Sequence, residues 1–593
     1  MGSRIEDYAL LSNCRTAALV SSTGNLDWLC LPRFDSGSIF GALLGDERHG
    51  RWSLRPTDSG ARAERRYDGD TFILLTRWTT DSGVAEVTDA MPISDDTAVI
   101  RRVTGLSGTV EFDCEVRFRF DYARALPWVE QTGTRQAPCL RAIAGPDAVD
   151  LRGLQLHGHG RRHTGRFAVS AGEARDLTLT WQPSHLPGTS ARDVDDDLDT
   201  TRRWWQEWSD KTEHEGPRHD LVTRSLLVLR ALTDERTGGV VAAATTSLPE
   251  AIGGERNWDY RYVWLRDAAL TLEALIAHGF IDIAHHWRDW LLRAVAGDPA
   301  QLQIMYGLAG ERDLQERILT SLPGYEASAP VRIGNGAVTQ FQADVIGEVL
   351  VALDAARSAG LGEDHFSWHL QKALVEQAIE RIDVPDQGMW EVRDEPEMFT
   401  HSRVMVWAAL DCAVRAVRDH GLSGDVARWK AFRERMRREI DASGYDAVRG
   451  HFVQRYGSTA VDGALLLLPQ VGYCRADDPR MLGTVAEIEK RLMRDGFVMR
   501  YNTDDGVPGD ENAFLACTFW LVEQYAMAGR TEEATVLMDQ VCAVANDLGL
   551  LSEEFDAAAG RQTGNFPQAF SHLALVRAAD ALGGHGGRAT HRQ

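Results

Sequence analysis

Two glutamates, Glu391 and Glu553, each sit in a short tract of aromatic and polar residues between helix-length apolar patterns. Carboxylates that share a cavity can divide into a proton donor and a water-activating base, the minimal equipment for splitting a glycosidic bond. Their tracts are Met389-Trp390-Glu391 and Leu551-Ser552-Glu553-Glu554-Phe555-Asp556. Two further tracts, Asn257 to Asp267 and Arg500 to Asp505, carry arginine, aspartate and aromatic residues at similar density. A solvated loop stapled down by its aromatic explains any one of them alone; four of them require a common frame.

That frame is helical. Twelve apolar patterns of helical period follow one another from Arg218, beginning with His219–Glu235 and ending with Gln568–Leu582; the fourth is Ala337–Ser358 and the eighth Thr459–Leu468. Helices joined by compact turns pack as antiparallel neighbours, so the connections after odd-numbered helices all emerge at one end. Even connections such as Gly279-Phe280 and Gly360-Leu361-Gly362 are plain turns, whereas all four loaded tracts lie in odd connections. They are therefore expected on one rim, where function gathers in loops on a rigid scaffold. Asp267 has the position of an N-cap for the second helix.

The first 180 or so residues have another rhythm. Val110, Phe112, Cys114, Val116, Phe118 and Phe120 alternate with charged residues, the period of a strand with one buried face. Similar short segments recur at Thr71–Trp78, Val84–Asp89, Arg166–Ser170 and Leu177–Trp181, which suggests an antiparallel sandwich. The expected chain is multidomain α and β: an N-terminal β-sandwich over 1–185, a linker with a docked helix over 186–217, a helical barrel over 218–585 and a disordered tail at 586–593.

Composition narrows the partners. A formal charge of -23 over 593 residues argues against nucleic acid and anionic membrane, and leaves neutral, polyhydroxylated small molecules compatible. Eight cysteines without a Cys-x-x-Cys pair read as reduced, mostly buried small hydrophobes. The N-terminus has acid where a signal peptide has base, and no 18-residue apolar run occurs, so a cytoplasmic protein is expected. The acidic run Asp193 to Asp199 lacks the glycine and glutamate of a calcium loop, and His157, His159 and His163 read as a loop tip. No phosphate loop, zinc-protease or serine-nucleophile motif is present, so neither a metal nor a cofactor is expected. No pattern reports the oligomeric state.

From Ile5 to about Ala581 the chain resembles bacterial members of glycoside hydrolase family 15, the glucoamylase, glucodextranase and trehalase group. The runs Ile5 to Leu10, Cys14 to Val20 and Asp27 to Ser36 are similar to that group's trehalase-like N-terminal domain, and Trp264-Leu265-Arg266-Asp267, Trp390-Glu391, Arg500-Tyr501 with Asp504, and Ser552 to Asp556 resemble its catalytic and sugar-binding tracts. The resemblance implies a β-sandwich followed by an (α/α)6 barrel. It further implies Glu391 as general acid, Glu553 as general base, Arg266 and Asp267 gripping the non-reducing glucose, and Arg500 reaching other hydroxyls. Trp264 and Trp390 would wall the pocket, with Tyr260 and Asp504 among its sugar-binding residues.

An inverting hydrolase needs its two carboxyls roughly 6.5 to 9.5 Å apart, with water held by the ionised one. Trp390 beside Glu391 offers an apolar wall that keeps an acid protonated, while Ser552, Glu554 and Asp556 give Glu553 a polar setting suited to a base. Glu554 is the rival for the base, since sequence does not orient adjacent side chains. The sequence departs from the family pattern at Glu397-Met398, at Ala343 and Ile346, and at Ser12-Asn13. These readings lead to an exo-acting inverting α-glucoside hydrolase releasing β-glucose from small α-1,4 or α-1,6 glucans, with an α,α-trehalase as the alternative. A non-catalytic sugar-binding relative and a toroidal polysaccharide lyase are the rivals from other classes.

Overall fold

The computed structural model describes residues 2–212, 216, 218–296 and 299–584; the expected tail at 586–593 lies outside them. Fifteen strands between Tyr8 and Pro183 join into one antiparallel sheet. Its hinge is the twenty-residue strand Ala98–Arg117, which contains most of the alternating run. Residues 98–108 pair with Gly83–Ala90 and Ala174–Pro183, and residues 109–117 with Arg51–Pro56 and the strand ending at Ser170. The change of partners comes at Gly108, whose φ of +61° and 2.1 Å approach of an added Cβ to Ser82 O exclude a side chain. Strands Tyr8–Ser12, Ala17–Ser21 and Asn25–Cys30 are buried at every position because they also pack on the helical half. Trp28 Nε1 donates to Ala244 O (3.0 Å), and Ser12 Oγ to Ala231 O (2.9 Å).

Helix α1 (Val194–Ser209) follows the sheet. Asp193, from the acidic run, caps it by accepting Asp196 N, and three aspartates in its first turn complement the helix dipole. On its far side Trp208 stacks on Phe280 with ring centres 4.0 Å apart.

The helical half comprises α2 (His219–Ala231), α3 (Leu265–Ala277), α4 (Ile281–Ala294), α5 (Asp344–Ser358), α6 (His365–Glu380), α7 (Thr400–His420), α8 (Val426–Ser443), α9 (Pro479–Leu492), α10 (Leu515–Met527), α11 (Thr531–Cys542) and α12 (Ala569–Leu582). Contacts run α3 to α5 to α7, through the segment Gly463–Leu467, to α10, to α12 and back to α3, which closes a ring. Helices α2, α4, α6, α8, α9 and α11 each pack against a member of that ring. Sequence pattern reflects the two positions. Residues Leu265–Leu275 of α3 and Leu515–Tyr525 of α10 are buried without interruption, while α8 buries only Trp429, Met436 and Ile440. Gly347 stands mid-helix because a Cβ there would come within 2.3 Å of Met405 O where α5 crosses α7.

Three expectations change. Thr459–Leu468 is no α-helix: its ring position is held by a 3-10 segment, Gly463–Leu467, between Asp462 and Pro469, too short for more than a tight turn and a half. The fourth helix starts at Asp344, seven residues after its predicted start, because Gly336–Thr339 forms a separate 3-10 turn capped by Asn335. The first barrel helix, α2, ends at Ala231, four residues before Glu235. His157, His159 and His163 lie on a hairpin, paired across the strands. None of the eight cysteines forms a disulfide, six of them are buried, and among the described residues no helix is long and apolar enough to cross a membrane.

Candidate active site

An open-mouthed pocket lies at one end of the ring, lined by residues from 242–267, 335–337, 389–393, 500–514 and 568–570. Each stretch lies in a connection after an odd-numbered helix of the sequence count or in the first residues of the helix that follows it. Of the predicted site residues, Tyr260, Trp264, Arg266, Asp267, Trp390, Glu391 and Arg500 line the pocket together. Glu553 stands directly behind its wall, fully buried.

One connection supplies a donor to each glutamate. Trp264 Nε1 donates to Glu391 Oε1 (2.6 Å), and Tyr260 Oη donates to Glu553 Oε1 (2.8 Å); the two rings meet edge to face with centres 5.5 Å apart. The aromatic pair thus ties the carboxylates to the same wall. Its own position depends on the N-terminal sheet. Arg261, next to Tyr260 and fully buried, pairs with Asp259 (2.7 Å) and donates to Ser36 O (2.9 Å) and Tyr122 Oη (2.8 Å).

Glu391 sits on a turn closed by its N–H to Gly388 O (3.2 Å), with φ of +60°. A left-handed conformation costs a non-glycine residue about 1–3 kcal/mol and persists where surroundings fix it. Here Gln340 Nε2 fixes it by donating to Glu391 O (3.1 Å) and Val392 O (3.3 Å). The side chain is 22% exposed, facing the pocket, with Arg266 Nη2 3.7 Å away. Arg266 in turn donates to Met389 O (2.8 Å) and Asp267 Oδ1 (3.1 Å).

Asp267 does not cap α3. The N-cap is Trp264 without a side-chain bond, and Asp267, one turn in, spends its carboxylate on Arg266 at the pocket surface. Burial pushes its pKa up to about 6, opposed by Arg266 and aided by Glu391. Asp504 is displaced from the expected set: it is exposed and accepts Gly506 N (3.0 Å) in a turn. Its neighbour Asp505 lines the pocket instead, bonded by Tyr501 Oη (2.6 Å) and Arg256 Nη2 (2.6 Å).

The surroundings of the two glutamates differ from the expectation. Trp390 turns its N–H to Asp462 (3.2 Å), so Glu391 is surrounded by an indole N–H, a guanidinium and the open pocket. Glu553 is the carboxyl in the low-dielectric place. Burial, then the nearby Glu250 charge, push its pKa up to about 7, against the pull of Arg500, the Tyr260 bond and the Asn565 N–H. Its sequence neighbours are polar, but its spatial neighbours decide.

Glu250, Glu553 and Glu554 bring carboxylate oxygens within 4.8 Å of one another. Such a trio has the donor chemistry for a cation, and a guanidinium stands beside two of its members: Arg500 Nη2 lies 2.9 Å from Glu250 and 3.4 Å from Glu554. Glu554 is buried, bonded by Asn512 N (2.9 Å), and burial beside three other carboxylates holds its pKa well above the ordinary range. Sequence reasoning missed Glu250 and Arg256, although they share an odd connection with the Asn257 tract, and left Trp258, inside that tract, out of the named site; Glu250 accepts from Trp258 Nε1 (3.0 Å) and Arg256 Nε (2.5 Å).

A helical ring behind a large antiparallel sheet, with acidic groups, guanidiniums and indoles converging at one end, defines a carbohydrate-hydrolase class of site. The model for glycosyl hydrolases family 15 matches residues 216–580 and that for the trehalase-like N-terminal domain residues 1–136, so the chain belongs to family 15 and is a glycoside hydrolase. It is 38% identical over 97% of its length to a trehalase of Mycolicibacterium smegmatis, covering 90% of that protein. A trehalase of Thermoplasma volcanium is 35% identical over 98% of this chain and 93% of its own. Among solved structures, a bacterial glucoamylase complexed with acarbose superposes with a TM-score of 0.77 at 14% identity, covering 99% of this chain and 95% of that one, which gives the fold.

Proposed function

We propose that this protein is an inverting α,α-trehalase, with Glu391 as general acid and Glu553 as general base, built on an (α/α)6 barrel formed by the closed ring and its outer helices. The observation that carries the choice of substrate is the likeness to two trehalases along nearly the whole chain, sheet and helices together. This replaces the preference for α-1,4 and α-1,6 glucans drawn from the sequence.

In this reading Arg266, Asp267 and Arg500 hold hydroxyls of the sugar whose C1 reacts, while Trp264, Trp390 and Tyr260 shape the wall. Glu391, open to the pocket, protonates the bridging oxygen as the C1–O bond breaks. Glu553, through the Tyr260 side of the wall, orients a water and takes its proton as the water attacks C1 from the opposite face. Hydrogen bonds from Tyr260 and Asn565 favour the ionised form that this step needs. Both carboxyls being present speaks against a non-catalytic relative. The test is comparison of kcat/KM on trehalose, maltose and isomaltose: trehalose should lead by at least an order of magnitude, and a preference for either of the others would return the substrate to the α-glucans.

A further inference from the structure

We propose that Arg393 recognises the departing sugar and sets the enzyme's demand for a leaving group that bears hydroxyls; this rests on Glu391 being the general acid. Arg393 lines the pocket two residues beyond Glu391 on the same connection. Exposure grades along the charged groups of the site. Side chains of Arg500 and Arg266 are 7% and 9% exposed, Glu391 22%, and Arg393 34%. The buried end therefore suits the sugar that is attacked. The proton donor stands between the two ends, and Arg393 stands at the mouth where the other sugar must lie.

Arg393 is held in place before any ligand arrives. Its N–H donates to Asp505 O (2.9 Å), its Nη2 to Glu316 Oε2 (2.9 Å), and its guanidinium lies 4.2 Å from the centre of the Trp258 ring. Glu316 is itself pinned by Gly336 N (3.0 Å). Among the described residues no acceptor is recorded for Nε or Nη1. A planar fork with one edge anchored and other N–H groups to spare matches adjacent sugar hydroxyls, and little rotamer freedom is lost on binding.

The experiment compares trehalose with α-D-glucosyl fluoride, whose leaving group has no hydroxyls, in wild type, Arg393→Lys and Arg393→Ala. The readout is the ratio of kcat/KM for trehalose to that for the fluoride. It should fall about 10- to 100-fold in the alanine variant, as for lost hydrogen bonds from a charged group, and by less in the lysine variant. The ratio divides out the active fraction, so it remains informative where a variant folds poorly. An unchanged ratio, whether both rates fall or neither does, overturns the proposal. Failure of the underlying reading looks different: Glu391→Gln would leave the same ratio unchanged, or the wild type would turn over the fluoride and not trehalose.

Discussion

Removing one hydroxyl, in Tyr260→Phe, should move the acidic limb of the pH profile upward. Tyr260 Oη gives Glu553 Oε1 a 2.8 Å hydrogen bond, and the Glu553 carboxyl that accepts it is fully buried, so water does not replace the lost donor freely. A hydrogen bond to a charged group contributes about 1.5–3 kcal/mol, and each pKa step of one corresponds to about 1.4 kcal/mol. The bond favours the ionised carboxylate, so its loss raises the pKa from about 7 in the wild type to about 8–9. The base must be ionised to work. The profile of kcat/KM against pH, which reports the free enzyme, should therefore lose its acidic side earlier: about 10- to 100-fold slower than wild type at pH 6, with the gap narrowing above the new limb. Initial rates of glucose release between pH 5 and 10 measure it. An acidic limb that stays near pH 7 while the rate drops uniformly would mean that Tyr260 does not tune Glu553.

Two further outcomes follow from the same geometry. Glu391→Gln should lower kcat/KM on trehalose by about 10²–10⁴ and affect α-glucosyl fluoride far less, because fluoride leaves without a strong acid, whereas Glu553→Gln should impair both substrates alike; steady-state kinetics on the pair separates the roles. Arg261→Met, by leaving Asp259 buried and unpaired, should cost about 3–5 kcal/mol of stability in urea denaturation, far more than loss of an exposed ion pair would.

The rim was legible because parity of connections depends only on antiparallel packing, which neither loop length nor side-chain detail disturbs. Trp264, Arg266, Trp390, Glu391 and Arg500 accordingly meet at one pocket. What escaped was set by contacts across the chain. Glu553 takes its character from Tyr260 and Glu250, about 300 residues away, and so ends in a buried setting with a raised pKa that Ser552, Glu554 and Asp556 gave no hint of. The exchange of Asp504 for Asp505 depends on which of two adjacent carboxylates faces Arg256, a matter of one backbone rotation. The strands from Tyr8 to Cys30 lack alternation because both faces are buried, and Gly463–Leu467 lacks helical length because Pro469 follows it so closely.

Proton NMR of trehalose hydrolysis, followed from the first minutes, bears most directly on two carboxyls acting across one bond. Inversion converts the attacked glucose to the β anomer and releases the other unchanged as α, so equal amounts of α- and β-glucose should appear before mutarotation. Initial release of α-glucose alone would contradict the proposed division of labour between Glu391 and Glu553.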